Sequence, residues 1–202
     1  MSLWLSADPL VLASRSAVRR TLLEAAGVPV EVQPADIDER SVETGVPPQA
    51  PAGIAALLAR EKALAVARLH PARLVLGADQ TLALDAKLFT KPADRAAARA
   101  QLRALSGRTH ELHSAIAFVR DAKVVFEHVG TARLTMRSFS DRFLDAYLDA
   151  AGSAATVSVG AYQIEGLGIQ LFERVEGDYF TVLGLPLMAS LDFLRRDGCL
   201  IR

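Results

Sequence analysis

The chain has 202 residues, 51% hydrophobic and 23% charged, enough apolar material for a sizeable globular core and not the composition of a disordered chain. Twenty-three Lys and Arg balance 23 Asp and Glu, which argues against a nucleic-acid binder that works by counterion release but leaves room for a small anion in a local pocket. The lone cysteine, Cys199, excludes an intramolecular disulfide and a multi-cysteine zinc site, and it points to the cytoplasm. No uncharged apolar run of about 18 residues occurs, so no membrane span is expected. The stretch from Met1 to Leu12, interrupted at Asp8-Pro9, does not read as a signal peptide.

The apolar run Leu10 to Ala13 reads as a buried strand. Ala17 to Ala26 has helical spacing, with Ser16 as N-cap and Gly27 as the stop. Val28 to Val32 reads as a strand, and the acidic, proline-bearing stretch from Pro34 to Pro51 as a loop. An alanine-rich helix is expected over 54–69, ended by His70-Pro71. Leu74 to Ala78 is an apolar strand running into Asp79-Gln80, and 82–90 a short hairpin turning at Asp85-Ala86. Asp94 to Leu105 is helical, closed by Ser106-Gly107. Glu111 to Val119 and Lys123 to Met136 read as antiparallel strands around Asp121-Ala122. Ser140 caps an amphipathic helix to Ala150, and Gly160 to Gly168 is irregular. Ile169 to Val175 is a strand, Glu176-Gly177-Asp178 a turn, and Pro186 opens a last helix to Arg196. This order predicts an α/β protein with a mixed sheet flanked by helices, one domain with two lobes spanning 1–202.

Several segments carry chemistry. Ser14-Arg15-Ser16-Ala17-Val18-Arg19-Arg20 brings a strand through a short loop to a helix N-terminus, an arrangement that binds phosphate. Cations in a first helical turn oppose the macrodipole, each by roughly 0.3–1 kcal/mol. A capping box would place Glu or Gln at position 19, so a bound polyanion explains Arg19 better than helix physics does. The plainer alternative is a solvated face with Arg20 paired to Glu24. Asp79 follows an apolar strand, where a carboxylate serves as general base, as magnesium ligand or as a turn cap. Asp36-Ile37-Asp38-Glu39 offers hard oxygen ligands for Mg²⁺, or a solvated acidic loop.

The cations are 19 Arg against four Lys (Lys62, Lys87, Lys91, Lys123), so a retained Lys hints at a need for a compact ammonium. Three glycines around Glu165, from Gly160 to Gly168, suggest close backbone approach to a ligand. His110 and His113 are an odd number apart on a strand, so they face opposite ways and do not share a metal. G-x-G-x-x-G, the phosphate-loop pattern, H-E-x-x-H and G-x-S-x-G are all absent.

Taken in order, these segments resemble the Maf-like nucleoside triphosphate pyrophosphatases, the septum-formation-inhibitor group. The likeness runs through Leu12-Ala13-Ser14-Arg15-Ser16, Arg19, Asp38-Glu39, Arg60-Glu61-Lys62-Ala63 and Gly77-Ala78-Asp79-Gln80. It continues through Lys91-Pro92, Leu105 to His110, Gly160-Ala161-Tyr162, Glu165-Gly166-Leu167-Gly168 and Val182 to Leu187. The resemblance implies two lobes around a cleft, a fold shared with inosine triphosphate pyrophosphatases. It implies an enzyme that splits a nucleoside triphosphate into monophosphate and pyrophosphate with a divalent cation, Mg²⁺ or Mn²⁺. The family's general base maps to Asp79, its phosphate-handling residues to Ser14, Arg19, Lys62 and Lys91, and its metal-side acid to Glu39, with Asp79 also on the metal. The implied partner is the nucleotide substrate, with neither a nucleic-acid polymer nor a membrane. A homodimer, common in the family, stays open.

Within the family, Gln80 and Glu165 look like the subgroup acting on 7-methylguanosine triphosphate. The thymidine/uridine triphosphate subgroup carries Thr and Gln there. A carboxylate suits the paired N–H donors of a guanine edge and the charge of a methylated base. Two positions depart from the pattern: Ala17 replaces a proline, and Val18 replaces a Trp or Arg, removing a surface on which a cationic base would stack. A nucleotide-binding regulator of cell division, without significant turnover, and a thymidine/uridine triphosphate pyrophosphatase are the alternative readings.

Overall fold

A computed structural model describes residues 2–44 and 50–202. In chain order its elements are β1 (Leu10–Ala13), α1 (Ala17–Ala25), β2 (Val30–Val32), α2 (Glu39–Thr44), α3 (Pro51–Ala67), β3 (Val75–Leu84), β4 (Lys87–Phe89) and α4 (Arg95–Leu105). They continue with β5 (Thr109–Arg120), β6 (Lys123–Met136), α5 (Asp141–Ala151), α6 (Ala154–Val157), β7 (Phe172–Glu176), α7 (Tyr179–Val182) and α8 (Leu187–Arg196). The strand order is β2-β1-β3-β5-β6-β7, with β4 paired to β3. β1 runs parallel to β2 and β3, whereas β4 is antiparallel to β3 and β7 to β6, so the sheet is mixed, as expected. The chain divides into two compact units: Met1–Gln80, His113–Thr131 and Asp178–Arg202 form the first, and Thr81–Leu112 and Ala132–Gly177 the second.

The pleat of the strands sorts the first unit into two faces. Leu10 and Leu12 of β1, Leu76 and Ala78 of β3, and Ile116 and Phe118 of β5 pack with Leu23 of α1 and Phe193 and Leu194 of α8. The alternate residues Val11, Ala13, Val75, Ala115 and Ala117 meet Ala55, Ala59 and Ala63 of α3. Large side chains fill the first face and small ones the second, so α3 lies close to the sheet. Ser16 caps α1 by accepting from the amide of Arg19, and Gly27 leaves the helix at φ 78°.

In the second unit, α4 and α5 pack side by side and are laced by arginines spaced four apart. Arg95 meets Asp149 at 2.6 Å, Arg99 meets Asp145 at 2.8 Å and Arg103 meets Asp141 at 3.1 Å. These pairs are largely exposed and stabilise little individually, but they account for part of the preference for Arg over Lys. His110, at 1% exposure, shares a 2.8 Å hydrogen bond with the hydroxyl of Tyr162, against the ring of Phe172.

Three elements differ from expectation. Residues 39–44, expected in a loop, form α2, because Asp38 caps it, accepting from the amide and hydroxyl of Ser41 at 3.2 and 2.6 Å. The part of that expected loop at 45–49 lies outside the described residues. β3 does not end at Asp79 but runs on to Leu84, since two adjacent polar side chains on opposite faces leave the ladder intact. Residues 169–171 belong to a 3₁₀ turn that precedes β7. Asp121 and Ala122 adopt φ 50° and 56°, the two-residue turn joining β5 to β6. Among the described residues no helix is long and apolar enough to cross a membrane.

Candidate active site

β1 stops at Ala13, whose partner on β3 is Gly77, so Asp79 lies past the end of β1. Asp79 shares a face with Val75 and Gly77, the face covered by α3. A Cβ on Gly77 would sit 2.1 Å from the carbonyl oxygen of Ala59 and 2.7 Å from the amide nitrogen of Ala63. Only glycine allows that approach, and it brings Lys62 to the strand: its Nζ donates to Asp79 Oδ1 at 2.5 Å. The same Nζ lies 2.7 Å from Glu39 Oε1, on the first residue of α2. One ammonium thus joins two carboxylates and, among the described residues, leaves one of its three N–H groups for a ligand oxygen.

Asp79 is 8% exposed. Burial raises its carboxyl pKa above the ordinary carboxylate value, opposed by the charges of Lys62 and Arg19 and by the hydrogen bond from Lys62. Glu43, one helical turn after Glu39, is also raised, by burial and then by the charges of Glu39 and Asp79, so it belongs to the same acidic edge.

The opposite face of β3 carries the second half of the site. Arg19 folds back from the first turn of α1 rather than out along its axis. Its Nε donates to the Gly184 carbonyl at 2.8 Å, and its Nη1 to Ser14 Oγ at 3.0 Å and the Ala78 carbonyl at 2.6 Å. Burial lowers the Arg19 pKa, while Asp79 and Glu39 oppose the shift; a guanidinium stays charged regardless. Ser14 is buried, and its hydroxyl also accepts from the amide of Ser16 at 3.3 Å. Arg20 pairs with Glu24 at 2.7 Å on the exposed side of the helix, the plainer of the two roles open to it. Gln80 donates from Nε2 to Ser114 Oγ and to the carbonyls of Thr181 and Val182. Val18 is half-buried on α1.

The first unit therefore gathers Ser14, Arg19, Glu39, Lys62, Asp79 and Gln80. Lys91 and Glu165 belong to the second unit, where both are exposed. Lys91 precedes the buried Pro92. Glu165 sits on a loop turned about one carbonyl: Gln163 accepts from the amides of Gly166 and Gly168 at 3.2 and 3.1 Å. A Cβ at Gly168 would meet that oxygen at 2.4 Å. His110 and His113 hydrogen-bond to Tyr162 and Thr131 respectively. Ser114, Thr181 and the carbonyl of Gly184 had no signal strong enough to be singled out; the one available clue was Ser114, a lone hydroxyl inside the apolar run from Leu112 to Val119.

The donor chemistry fits a hard divalent cation. Glu39 and Asp79 supply carboxylate oxygens. Among the described residues no group of three or more His, Cys, Asp or Glu is placed to hold a metal ion by itself. Two carboxylates suit a Mg²⁺ that keeps water and is shared with substrate phosphates.

Comparison with known proteins places the chain in a family. The family model described as "Maf-like protein" matches residues 9–197. A protein of Rhodopseudomonas palustris (strain BisB18) named nucleoside triphosphate pyrophosphatase is 58% identical over 200 residues, covering 99% of both chains. One of the same name from Bradyrhizobium diazoefficiens is 57% identical over 197 residues, 98% of each. A solved nucleoside-triphosphatase / dITP/XTP pyrophosphatase from Mycobacterium abscessus aligns over 95% of each chain at 18% identity with a TM-score of 0.38. Matched from Pro9 to Asp197, and at full length by relatives sharing more than half its residues, the chain belongs to the Maf-like protein family.

Proposed function

We propose that the protein hydrolyses a nucleoside triphosphate to the monophosphate and pyrophosphate, using a divalent cation. The observation that carries this reading is the buried Asp79 carboxylate, raised in pKa and joined through Lys62 to Glu39. Relatives matched at full length carry the name of that activity. The reaction adds water at phosphorus and breaks one anhydride bond. Asp79 accepts the water's proton, a contribution of about 10²–10⁴-fold for a positioned general base. Lys62 and Arg19 offset the charge of the phosphoryl oxygens, and Ser14 orients Arg19. Glu39 and Asp79 would hold the cation, which when bound supplies further charge neutralisation at the phosphates. Lys91 is the fourth phosphate-handling residue, a role resting on its place in Lys91-Pro92. A sensor without turnover would need no positioned base.

The finer reading is a preference for 7-methylguanosine triphosphate. Glu165 would accept from the N1 and N2 edge of the base, and its exposure leaves the carboxylate available to do so. The same proposal takes 1–202 as one nucleotide-hydrolysing domain working in the cytoplasm. The test is pyrophosphate release by the purified protein across normal and methylated nucleoside triphosphates, with Mg²⁺, Mn²⁺ or a chelator. Stoichiometric monophosphate and pyrophosphate, lost on chelation, are expected. Absence of release with every nucleotide and both metals would leave only the sensor. Glu165→Gln with an unchanged order of preference would remove Glu165 from base reading.

A further inference from the structure

We propose that Gln80 and Ser114 are positioning residues for Arg19, acting through the turn that follows α7. The inference rests on the reading of Arg19 as a contact to the phosphate tail. Gln80 and Ser114 lie on adjacent strands and project to the same face as Ala78 and Ile116. Gln80 Nε2 donates to Ser114 Oγ at 2.9 Å, to the Val182 carbonyl at 3.1 Å and to the Thr181 carbonyl at 3.3 Å. Ser114, at 0% exposure, donates its own hydroxyl to the Thr181 carbonyl at 2.7 Å. That carbonyl also accepts from the amide of Gly184 at 3.0 Å.

The far side of the turn is fixed as firmly. Asp178 accepts from the amide and the hydroxyl of Thr181 at 2.7 and 2.9 Å. Gly130 makes room for that hydroxyl, since a Cβ there would lie 2.7 Å from it. Gly184 then turns at φ +94°, a conformation side chains rarely adopt, and aims its carbonyl at Arg19 Nε. The guanidinium is thereby held at Nε by this carbonyl and at Nη1 by Ser14 and Ala78. A Cβ built on Gly184 would lie 3.6 Å from Nη2 and 3.5 Å from Gln80 Oε1, so both groups flank this glycine.

The chemistry of Gln80 supports an indirect role. A primary amide reads a base edge by offering a donor and an acceptor together. Here the donor nitrogen is spent on one hydroxyl and two carbonyls of the protein. What Gln80 transmits to a ligand is the placement of the turn and hence of a preorganised guanidinium, which loses less freedom on binding a phosphate.

Inorganic tripolyphosphate separates the two roles, because it presents the tail with no base. Its inhibition constant is measured against nucleoside monophosphate formation for wild type, Arg19→Lys, Ser114→Ala, Ser114→Thr and Gln80→Met, with thermal melts to confirm folding. Arg19→Lys, Ser114→Ala and Gln80→Met are each expected to weaken inhibition about ten-fold and to raise nucleotide KM alike. The rank order of bases stays as in wild type. Ser114→Thr, which restores a hydroxyl, recovers most of the loss. Joining Ser114→Ala to Arg19→Lys costs little beyond Arg19→Lys alone. The proposal is overturned if Arg19→Lys weakens tripolyphosphate while Ser114→Ala and Gln80→Met do not, or if Gln80→Met reorders the bases at unchanged tripolyphosphate inhibition. If Arg19→Lys itself leaves inhibition unchanged, the phosphate role of Arg19 falls, and this inference with it.

Discussion

Each of the two units buries a polar cluster, and the two are built on opposite principles. In the first, Asp79, Lys62 and Arg19 are charged groups kept inside by one another, with Glu39 at the edge. In the second, His110 and Tyr162 are neutral groups kept inside by a shared hydrogen bond and the ring of Phe172. Burial moves the titration of both: it drives His110 down to about 4 and pushes Tyr162 up. For His110 desolvation is the sole cause, whereas for Asp79 two cations pull against it. A displaced pKa therefore does not by itself separate a site from a scaffold. The mark of the site is that opposite charges converge on a carboxylate while one of them keeps a donor for something else.

The sharpest way to break this contrast is to replace one member of each cluster. Asp79→Asn is expected to fold and to bind nucleotide while turnover drops by about 10²–10⁴-fold. His110→Phe is expected to lower the melting temperature and keep kcat within a few-fold. Steady-state kinetics beside equilibrium nucleotide binding reads both. Full turnover in Asp79→Asn would take the first cluster out of the chemistry.

A backbone change probes how the first cluster is assembled. Gly77→Ala sets a Cβ against the Ala59 carbonyl, which a strand–helix contact cannot relieve without parting. The expected cost is about 1–3 kcal/mol of stability by denaturant unfolding, as for overpacking elsewhere. Turnover falls as well, because the shift moves Lys62 off Asp79. A variant of wild-type stability would mean that α3 is not seated by this glycine.

How much of this was legible beforehand follows the same physics. The strands and long helices were readable because apolar runs and caps are local: Leu10–Ala13, Ser16 and Ser140 each fell where expected. Helix α2 was hidden because its one signal, Asp38 three residues before Ser41, sat inside a stretch whose prolines and acids read as loop. The continuity of β3 was hidden because Asp79-Gln80 looks like a strand end until the pleat sends the two side chains to opposite faces. The acid, the lysine and the arginine were legible as types at motif positions. Their convergence was not, since it depends on a helix approach set by Gly77 and a turn set by Gly184. Ser114 had no local signal beyond being polar, because its partners lie on β3 and after β6 in the chain.

The smallest effect expected is the most diagnostic, because its sign differs between the clusters. A raised folded pKa means that the native state holds the proton on Asp79 more tightly than the unfolded chain does. Asp79 therefore adds stability in acid and loses it as pH rises through the folded value. His110 behaves in reverse: its pKa falls from 6.5 to about 4, so its contribution is complete above 6.5 and is lost as pH drops toward 4. Denaturation midpoints across this range should lose their acid-side fall in His110→Phe and lose the opposing rise in Asp79→Asn. Turnover, which needs the ionised carboxylate, climbs with pH through the window in which Asp79 costs stability. Lys62→Met removes the largest influence lowering the Asp79 pKa, so the acid limb of kcat/KM in the residual activity should move to higher pH. An acid limb that stays in place would mean that the ammonium does not set the basicity of that carboxylate, and the distinction between charge-paired and merely buried polar groups would lose its clearest case.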